Sequence, residues 1–316
     1  MPSNTVKKSK ALKSGIVSIV GRPNVGKSTL LNAIIGEKVS ITSDIPQTTR
    51  QQIRGIYNDE RGQIVFIDTP GLHLGGDGLD KFMNRSSMGA MHGMDVIIHL
   101  TDSSEGVGKE ENFVVNQLKK IKTPIIIGLN KVDYKQGKCI QEYIELWEQA
   151  TGKSIHEIKN LTLLPLSALK NTNVDKLLDL VFELLPEGPL LYPEDVITDM
   201  PQRLAMADLI REKLFRAMRE EVPHSIAVKI EHVSPRKGKV LLIKALIIVE
   251  RETQKEIVIG KKGDVLKSIG TSARADLEEL VGQKVFLELY VKTTKNWRDN
   301  PTVLEDMGYI FEGAAC

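Results

Sequence analysis

A glycine-containing loop near the amino terminus has residue types and spacing that suit phosphate binding. Residues 21–28 read Gly-Arg-Pro-Asn-Val-Gly-Lys-Ser, which matches the pattern G-x-x-x-x-G-K-[ST]. Glycines let backbone N–H groups turn towards phosphate oxygens, and the start of the following helix adds partial positive charge. We expect Lys27 to reach the β- and γ-phosphates of a nucleotide and the Ser28 hydroxyl to bind Mg²⁺. The residues predicted to line this cradle are Gly21, Arg22, Pro23, Asn24, Val25, Gly26, Lys27, Ser28 and Thr29.

A second phosphate and metal contact is predicted at residues 68–71, which read Asp-Thr-Pro-Gly after an apolar segment. An aspartate at the end of a strand can hold Mg²⁺ through water, and the backbone N–H of Gly71 can contact a γ-phosphate. Because that contact exists only with a triphosphate, Leu72 and His73 are predicted to lie in a switch loop. The nucleotide contacts assigned to this run are Asp68, Thr69, Pro70 and Gly71.

The polar, turn-rich run between these two motifs occupies the position of a first switch loop. Residues 43–50 read Ser-Asp-Ile-Pro-Gln-Thr-Thr-Arg. A threonine here can complete the magnesium shell, and Thr48 and Thr49 are both candidates. We assign Thr49 as the metal ligand, together with Ser28 and Asp68. The residues predicted to form this switch are Gln47, Thr48, Thr49, Arg50 and Gln51.

Two further motifs predict that the base is guanine. Asp133 ends the run Asn-Lys-Val-Asp, and its carboxylate can accept hydrogen bonds from guanine N1–H and N2–H₂. Adenine lacks that pair of donors and would leave the carboxylate poorly paired. Asn130 can bond N7 and tie neighbouring loops, the Lys131 stem can lie along the base, and the Ser-Ala-Leu run can offer a backbone N–H to O6. The residues assigned to the base are Asn130, Lys131, Val132, Asp133, Ser167, Ala168 and Leu169.

The residue after the Asp-Thr-Pro-Gly run bears on hydrolysis. Ras-like switches carry a glutamine at this point that orients the attacking water, whereas this chain carries Leu72. We therefore expect slow intrinsic hydrolysis or help from another group. Asn24 is a candidate helper, and His73 is a candidate proton carrier although a structural role is favoured for it. The residues assigned to hydrolysis are Lys27, Asn24, Thr49 and Gly71.

A different nucleic-acid motif lies in the second half of the chain. The run Ile-Gly-Lys-Lys-Gly opens a predicted helix, and I-G-x-x-G in that setting resembles the loop with which KH domains clamp single-stranded RNA. Small glycines allow close approach of the RNA backbone, and the two lysines supply positive charge. The predicted element order, helix–strand–strand–helix–helix–strand, is that of a type II KH domain. The residues assigned to RNA are Ile259, Gly260, Lys261, Lys262 and Gly263.

The elements that must position these motifs follow from apolar periodicity. Predicted strands and helices alternate through the first half, which favours an α/β fold with a mostly parallel sheet and helices on both faces, as in Ras-like P-loop domains. An α+β KH domain follows a segment rich in proline. We predict a flexible basic tail (1–14), a GTPase domain (15–185), a Pro-rich linker (186–200) and a KH domain (201–316). The strands predicted before the linker are Gly15–Val20, Gln63–Ile67, Val96–Leu100, Ile125–Leu129 and Leu161–Leu166, and the helices are Ser28–Ile35, Asn112–Lys119, Ile140–Ala150 and Val174–Leu184. Beyond it we predict helix Leu204–Glu220, strands Ser225–Val233 and Lys239–Arg251, a short apolar segment Glu256–Ile259, helix Asp264–Val281 and strand Val285–Lys292.

Composition excludes several classes of protein. The 316 residues are 41% hydrophobic and 27% charged, with a net charge of +2, which is typical of a globular protein rather than a disordered or fibrous one. The longest apolar run, 240–249, is interrupted by Lys244 and is too short to span a bilayer. Cys139 and Cys316 lie far apart without metal-like spacing, which favours a reducing cytoplasm.

Taken together, the motifs identify a resemblance to the Era-like subfamily of the TrmE-Era-EngA-Septin-like GTPases. It covers roughly residues 15–310. Beyond the motifs above, it rests on the sequences at 29–32 (Thr-Leu-Leu-Asn), 40–43 (Ser-Ile-Thr-Ser), 250–255 (Glu-Arg-Glu-Thr-Gln-Lys), 289–292 (Leu-Tyr-Val-Lys) and 296–298 (Asn-Trp-Arg). Departures from the family lie at 43–46 and 74–78, in the switch regions.

The resemblance implies properties that the residues alone do not give. To the GTP or GDP and Mg²⁺ predicted above it adds binding of small-subunit ribosomal RNA near its 3′ end, with GTP favouring the RNA-bound form. It also implies assistance to assembly of the small ribosomal subunit, a monomeric state, and a cytoplasmic location with peripheral association with the inner membrane. The chain is similar to several GTPases in which the asparagine matching Asn24 ligates a potassium ion, so stimulation by K⁺ is a hypothesis.

Two alternative functions remain at this point. The chain could be a KH-type RNA-binding or chaperone module whose nucleotide site is a sensor with negligible turnover. It could also be a GTPase that helps to modify transfer RNA, although no additional catalytic domain or cysteine-based site is visible in the sequence. Single-turnover phosphate release, measured with and without RNA, separates the first alternative from a GTP-hydrolysing switch.

Overall fold

The computed structural model describes residues 11–43, 45, 47–134, 138–218 and 222–309. These residues form two compact units, and each unit is built from more than one segment. The first unit contains the residues up to 39 together with 52–69 and 88–199, and the second contains 40–51 and 70–87 together with the residues from 200 onwards. The segments predicted to be nucleotide switches therefore belong to the unit that holds the predicted RNA-binding fold.

The secondary structure alternates strands and helices before the linker and changes pattern after it. The strands are β1 (Lys13–Val20), β2 (Ile53–Asp59), β3 (Gly62–Asp68), β4 (Val96–Asp102), β5 (Ile125–Asn130), β6 (Leu161–Pro165), β7 (Ala227–Arg236), β8 (Val240–Val249) and β9 (Lys284–Thr293). The α-helices are α1 (Lys27–Ile35), α2 (Gly78–Gly89), α3 (Lys109–Leu118), α4 (Ile140–Thr151), α5 (Val174–Leu184), α6 (Gln202–Ala217), α7 (Glu252–Ile259), α8 (Asp264–Val281) and α9 (Pro301–Asp306).

The first unit is built on a six-stranded sheet in the order β2-β3-β1-β4-β5-β6. β2 pairs with β3 in antiparallel orientation, and the remaining neighbours pair in parallel. Every residue of β3, β4 and β5 is buried, as expected for near-continuous apolar runs in a parallel sheet covered on both faces. Since parallel strands end at one edge, the loops after β1, β3, β5 and β6 gather there, and these are the loops that carry the predicted nucleotide motifs.

The second unit contains a three-stranded sheet in the order β7-β8-β9. β7 and β8 are antiparallel, whereas β8 and β9 are parallel. Apolar residues of α6, α7 and α8 pack with residues of the strands in one core, which includes Ile210, Ile247, Val258, Ile269 and Val285. The order α6-β7-β8-α7-α8-β9 agrees with the element order predicted for a type II KH domain.

A second apolar cluster in this unit joins α2 to the carboxyl-terminal region. Leu79, Phe82 and Met83 of α2 are buried there. Their partners come from β7, β8, α9 and the neighbouring turns, so α2 and the α6-to-α9 segment share one core. These partners are Ala227, Ile248, Trp297, Leu304, Met307 and Tyr309.

The predicted fold class is confirmed, and two helices, α5 and α8, have the predicted bounds. β2, α2 and α9 were not predicted from the sequence, and the end of α7 was predicted as a separate apolar segment. β2 was missed because Arg54, Gly55, Asn58 and Asp59 break the apolar run of an edge strand. α2 was missed because it begins at a glycine and is polar apart from its few core residues. The predicted end of α6 at Glu220 falls at residues 219–221, outside the described residues.

The first strand also begins earlier than predicted. β1 starts at Lys13, inside the segment assigned to the basic tail. Its first residues are ordered by pairing: Lys13 lies opposite Gly62 of β3, and the Lys13 ammonium donates to the carbonyl of Phe182 at 2.7 Å. Residues 1–10 of the predicted tail lie outside the described residues.

The Pro-rich segment predicted as a linker lies along the edge of the first unit's sheet. The side-chain amide of Gln63 accepts from the backbone of Leu191 and Tyr192 at 2.7 and 2.8 Å and donates to the carbonyl of Tyr192 at 2.9 Å. Further along, the N–H of Ile56 in β2 donates to the carbonyl of Ile197 at 2.9 Å. The segment thus covers an edge strand whose backbone groups would otherwise face water or another chain.

Among the described residues, no helix combines the length and the apolar character that crossing a membrane would require.

Candidate nucleotide and RNA-binding sites

The loop between β1 and α1 has the backbone geometry of an anion cradle. Gly21 has φ +157°, and a Cβ at this position would lie 2.3 Å from the carbonyl oxygen of Leu100. Gly26 has φ +100°, and a Cβ there would lie 2.5 Å from Nδ2 of Asn130. Both positions therefore require glycine, and the loop runs directly into the amino terminus of α1, where anions bind favourably.

Lys27 points into this loop rather than into solvent. Its side chain is buried, and its ammonium donates to the carbonyls of Arg22 at 2.8 Å and Gly21 at 3.2 Å. Burial lowers the pKa of Lys27 to about 8, although the carboxylates of Asp68 and Glu111 oppose the shift. A phosphate in the loop would supply the negative charge that this cation lacks in its buried setting.

Ser28 and Asp68 form an oxygen pair that fits Mg²⁺. The Ser28 hydroxyl donates to Oδ2 of Asp68 at 2.6 Å, and Asp68 is fully buried at the end of β3. The adjacent Thr69 hydroxyl donates to the carbonyl of Ile19 at 2.8 Å, which fixes the chain just after the aspartate. A carboxylate and a hydroxyl are the hard ligands that Mg²⁺ prefers, and the ion keeps several waters besides them.

Asn130 ties two predicted nucleotide loops together. Its Nδ2 donates to the carbonyl of Val25 at 2.7 Å, and its Oδ1 accepts from the N–H of Ala168 at 2.9 Å. The prediction that Asn130 joins neighbouring loops therefore has a direct counterpart in the structure. The Ala168 N–H, one of the backbone groups available for guanine O6 in the Ser-Ala-Leu run, is here engaged with Asn130. The neighbouring Leu169 side chain is exposed.

Lys131 is bound to the phosphate loop, and Asp133 is exposed. Lys131 has φ +63°, and its ammonium donates to the carbonyl of Asn24 at 2.9 Å and to Oδ2 of Asp102 at 2.5 Å. Burial opposes the change, but hydrogen bonds from Lys131 and Ser104 lower the pKa of Asp102. The extended Lys131 stem runs back to the phosphate loop, while Asp133 is exposed and accessible to a ligand.

The first switch segment lies within the second unit. Hydrogen bonds to its backbone carbonyls hold it in place. The Thr48 hydroxyl donates to the carbonyl of Ile45 at 2.6 Å, and the Thr48 carbonyl accepts from Arg211 of α6 at 3.0 Å. Thr49 is also buried, whereas Gln51 is partly exposed. The Thr48 hydroxyl is engaged locally, and the assignment of Thr49 as the magnesium ligand stays a prediction.

Arg50 is held by buried partners from distant parts of the chain. Its guanidinium donates to the carbonyl of Ile226 at 2.7 Å and lies 5.7 Å from the ring centroids of both Phe215 and Trp297. The side chain is about 1% exposed, and burial lowers the pKa of Arg50. The arginine next to the two threonines can be seen in the sequence, but its partners lie roughly 165 to 247 residues away, and a local pattern does not reveal them.

The second switch segment lies in the same unit, and its buried His73 is surrounded by hydrogen-bond partners. His73 Nδ1 lies 2.9 Å from the carbonyl oxygen of Gly71, and Nε2 lies 2.9 Å from Oδ1 of Asp80 on α2. Gln47 of the first switch donates to the same Asp80 oxygen at 3.1 Å. These contacts agree with a structural role for His73, while Leu72 is fully buried and presents no polar group.

The predicted RNA loop lies between α7 and α8 in the second unit. Gly260 has φ +74°, and a Cβ there would lie 2.3 Å from Oδ1 of Asp264, so the turn requires glycine. Gly263 has φ +81° and directly precedes α8. Lys261 and Lys262 are exposed, and Ile259 ends α7 in a partly buried position. The loop thus presents two cations beside a backbone with small side chains, which suits close approach of a nucleic-acid backbone.

Two family models match the chain. One, described as a 50S ribosome-binding GTPase, matches residues 16–131, which include the phosphate loop and the Asp-Thr-Pro-Gly run. The other, described as a KH domain, matches residues 221–298, which include the Ile-Gly-Lys-Lys-Gly loop.

Several known proteins resemble the chain along nearly its whole length. GTPase Era of Halothermothrix orenii is 44% identical over 297 residues, which are 94% of this chain and 98% of that protein. A crystal structure of a variant of Aquifex aeolicus Era bound to GDP·AlF4⁻ is 40% identical with a TM-score of 0.87, and the match covers 95% of this chain and 100% of that one. A crystal structure of Era in complex with MgGDPNP and nucleotides 1506–1542 of 16S ribosomal RNA is 41% identical with a TM-score of 0.88 and the same coverage.

Proposed function

The chain belongs to the Era family of GTPases, and we propose that it is a GTP-hydrolysing switch that acts on ribosomal RNA. In this proposal the first unit binds GTP or GDP with Mg²⁺. The KH fold of the second unit binds small-subunit ribosomal RNA near its 3′ end, and the protein assists assembly of the small ribosomal subunit. The single observation that carries the nucleotide part is Asn130, which joins the phosphate loop to the Ser-Ala-Leu loop beside an exposed Asp133.

The phosphate end of the site supports a nucleoside triphosphate with Mg²⁺. Ser28 and Asp68 would hold the ion, which would neutralise charge on the β- and γ-phosphates. Lys27 would bind the same phosphates, because its ammonium lies in the glycine loop. Thr49 and the N–H of Gly71 are proposed to complete the site in the triphosphate state.

The division of the chain into units supports communication between nucleotide and RNA. Both switch segments share a unit with the KH fold, and α2 shares a buried cluster with β7, β8 and α9. Loss of the γ-phosphate contact would release Gly71, seven residues before α2 begins. A change in the conformation of the switches would therefore alter the apolar cluster that α2 shares with β7, β8 and α9.

The hydrolytic step is proposed to depend on a group other than the residue after Gly71. Leu72 is buried and apolar, so it cannot orient water. Asn24 has φ +61° and is exposed on the phosphate loop, which suits a side chain that ligates a monovalent cation. We expect faster hydrolysis in K⁺ than in Na⁺ at equal ionic strength, and equal rates in the two salts would rule out this role.

The RNA target is taken from a solved relative whose match covers 95% of the chain. The solved Era complex contains nucleotides of 16S ribosomal RNA, whereas the family model for residues 16–131 is described by the 50S subunit. The former matches 95% of this chain, including the KH fold, and the latter matches a part of the first unit. We therefore propose the small subunit as the target.

The location that we propose is the cytoplasm, with peripheral association with the inner membrane. This follows from the family resemblance. Co-flotation of the purified protein with vesicles of inner-membrane lipid composition tests the membrane part, and failure to float in both nucleotide states would refute it.

The decisive experiment is cross-linking to total RNA with the protein loaded with GTP or GDP, followed by sequencing of the bound fragments. We expect fragments from the 3′ end of small-subunit ribosomal RNA, with higher yield in the GTP state. The matched variant Gly260→Asp/Gly263→Asp should lose these fragments while retaining GDP binding. A sensor with negligible turnover would give the same fragments but no single-turnover phosphate release, with or without RNA.

A further inference from the structure

A fully buried carboxylate lies behind the phosphate loop. Glu111 is in the first turn of α3, and its side chain is 0% exposed. The amino-terminal end of a helix favours negative charge, but moving a carboxylate out of water still costs several kcal/mol unless it is paired and hydrogen-bonded. Stability alone therefore gives little reason for a glutamate here, and its partners indicate what it does.

The partner of Glu111 is an arginine of the phosphate loop itself. Arg22 Nε donates to Oε1 of Glu111 at 2.8 Å. The carbonyl of the same Arg22 accepts from the ammonium of Lys27 at 2.8 Å. A continuous path of hydrogen bonds thus runs from the carboxylate through one residue to the lysine that is proposed to bind the β- and γ-phosphates.

Arg22 has a second carboxylate partner that provides an internal comparison. Its Nη2 donates to Oε2 of Glu105 at 2.7 Å, and the Glu105 side chain is 59% exposed. The two carboxylates thus bind the same guanidinium, one from solvent and one from the core. Exposed ion pairs contribute little to stability, whereas breaking a buried pair by removing one partner costs far more.

The second oxygen of Glu111 has a restricted environment. Within the described residues Oε2 has no hydrogen-bond partner, and Nε2 of the fully buried His99 lies 3.6 Å away. The His99 ring in turn packs edge-on against Trp147. Arg22 is therefore the hydrogen-bonded cation that holds the Glu111 charge, and the carboxylate cannot move towards water without breaking that bond.

We propose that Glu111 is a positioning residue for the phosphate loop. It fixes the Arg22 side chain, and through the Arg22 backbone it fixes the carbonyl that directs the Lys27 ammonium. The proposal rests on the proposed function, because it assumes that this loop binds the phosphates of a guanine nucleotide. Glu111 itself contacts no phosphate in this scheme.

The test compares Glu111→Gln with Glu105→Gln, which removes the exposed carboxylate from the same guanidinium. GDP affinity, the ³¹P NMR shift of the β-phosphate of bound Mg·GDP, and the thermal unfolding midpoint are measured for both variants and for the unmodified chain. We expect Glu111→Gln to weaken GDP binding about tenfold and to move the β-phosphate resonance, because a buried charge-assisted bond is lost. Glu105→Gln should change the affinity less than twofold and leave the resonance in place.

A double-variant cycle tells positioning from general stabilisation. Arg22→Gln should weaken GDP binding to a similar extent, and Arg22→Gln/Glu111→Gln should be no weaker than Arg22→Gln alone, because both changes act through one bond. Losses that multiply in the double variant, or an unmoved β-phosphate resonance in Glu111→Gln, would overturn the proposal. If Glu111→Gln does not fold, an unmoved resonance in Arg22→Gln overturns it instead. Failure of the unmodified chain to bind GDP would refute the proposed function, and this outcome is distinct from those that overturn the role of Glu111.

Discussion

The predicted functional residues of the two units differ in where they lie and in what they bind. In the first unit the nucleotide motifs lie in loops at one edge of a sheet, and their side chains are tied to backbone carbonyls of neighbouring loops, as Asn130 is to Val25 and Lys27 is to Arg22. In the second unit most of the predicted switch residues are buried, and Arg50 and Thr48 are bound to residues of the α6-to-α9 segment. One site is a preformed receptor, and the other is a set of switches embedded in the fold that they are proposed to control.

This difference predicts different consequences of mutation. A loop that has its shape fixed by backbone contacts loses ligand affinity when one recognition side chain changes, while the unit stays folded. A switch residue that is buried in a core loses stability when it changes, because its partners are left unpaired in the interior. Four predictions test this contrast, in order of expected effect.

The largest effect is expected at the base-binding carboxylate. Asp133→Asn should lower GTP affinity about 1,000-fold and raise affinity for xanthosine triphosphate, because an amide cannot accept both guanine donors but can pair with the xanthine edge. Competition binding with the two nucleotides measures this. Asp195 in the linker is exposed, and Asp195→Asn is the matched control. This variant should leave both affinities unchanged. Equal loss of affinity for the two nucleotides would contradict the assigned base contact.

The second effect is a loss of stability in the second unit. Arg50→Met should lower the free energy of unfolding of that unit by about 3 kcal/mol, since it leaves the carbonyl of Ile226 and the buried Asp208 without this cation. The chain has two tryptophans, and Trp297 lies against Arg50 while Trp147 lies in the first unit. In a Trp147→Phe background, urea unfolding followed by fluorescence therefore reports the second unit.

The control for this prediction is an exposed arginine of the first unit. Arg54 is 47% exposed and pairs with Asp199 at 2.8 Å. Arg54→Met, followed through Trp147 in a Trp297→Phe background, should change the stability of the first unit by less than about 1 kcal/mol. If Arg50→Met cost no more than Arg54→Met, the switch residue would not be part of the second unit's core and the contrast would fail.

The same contrast explains what the sequence could and could not predict. The nucleotide loops were predictable because each motif is contiguous and its backbone conformation is local: the glycines at 21 and 26 have φ values of +157° and +100°. β2 and α2 were not predictable from the sequence. Polar residues interrupt the apolar pattern of β2, which is an edge strand, and α2 buries only one narrow face. The partners of Arg50 and Arg22 were not predictable either. They are tertiary contacts between residues roughly 90 to 180 positions apart, for which local pattern carries no signal.

The third prediction concerns pH and the phosphate loop. Burial lowers the pKa of Lys27 to about 8, so the cation is present below pH 8 and is lost above it in the free protein. A phosphate favours the charged form, so binding takes up a proton at alkaline pH and affinity should fall up to about tenfold between pH 8 and 9. Calorimetry of GDP binding in two buffers of different ionisation enthalpy measures the uptake. No uptake at pH 8.5 would mean that Lys27 is already fully charged without ligand.

The smallest effect is expected on acidification of the second unit. Burial opposes the change, but hydrogen bonding to His73 and the charges of His73 and Arg298 lower the pKa of Asp80. A carboxyl whose pKa is lower in the folded state stabilises that state above its unfolded pKa of about 4, and this stabilisation is lost as the pH falls through the folded value. The Trp297 signal should therefore show a loss of about 1 kcal/mol between pH 5 and pH 3 that Asp80→Asn lacks. Asp102, whose pKa is lowered by Lys131 and Ser104 against the effect of burial, belongs to the first unit, so Asp102→Asn should leave the acid dependence of the Trp297 signal intact. If both variants flattened it equally, the carboxylates of the two units would not act independently, and the receptor and the switches would share one folding equilibrium.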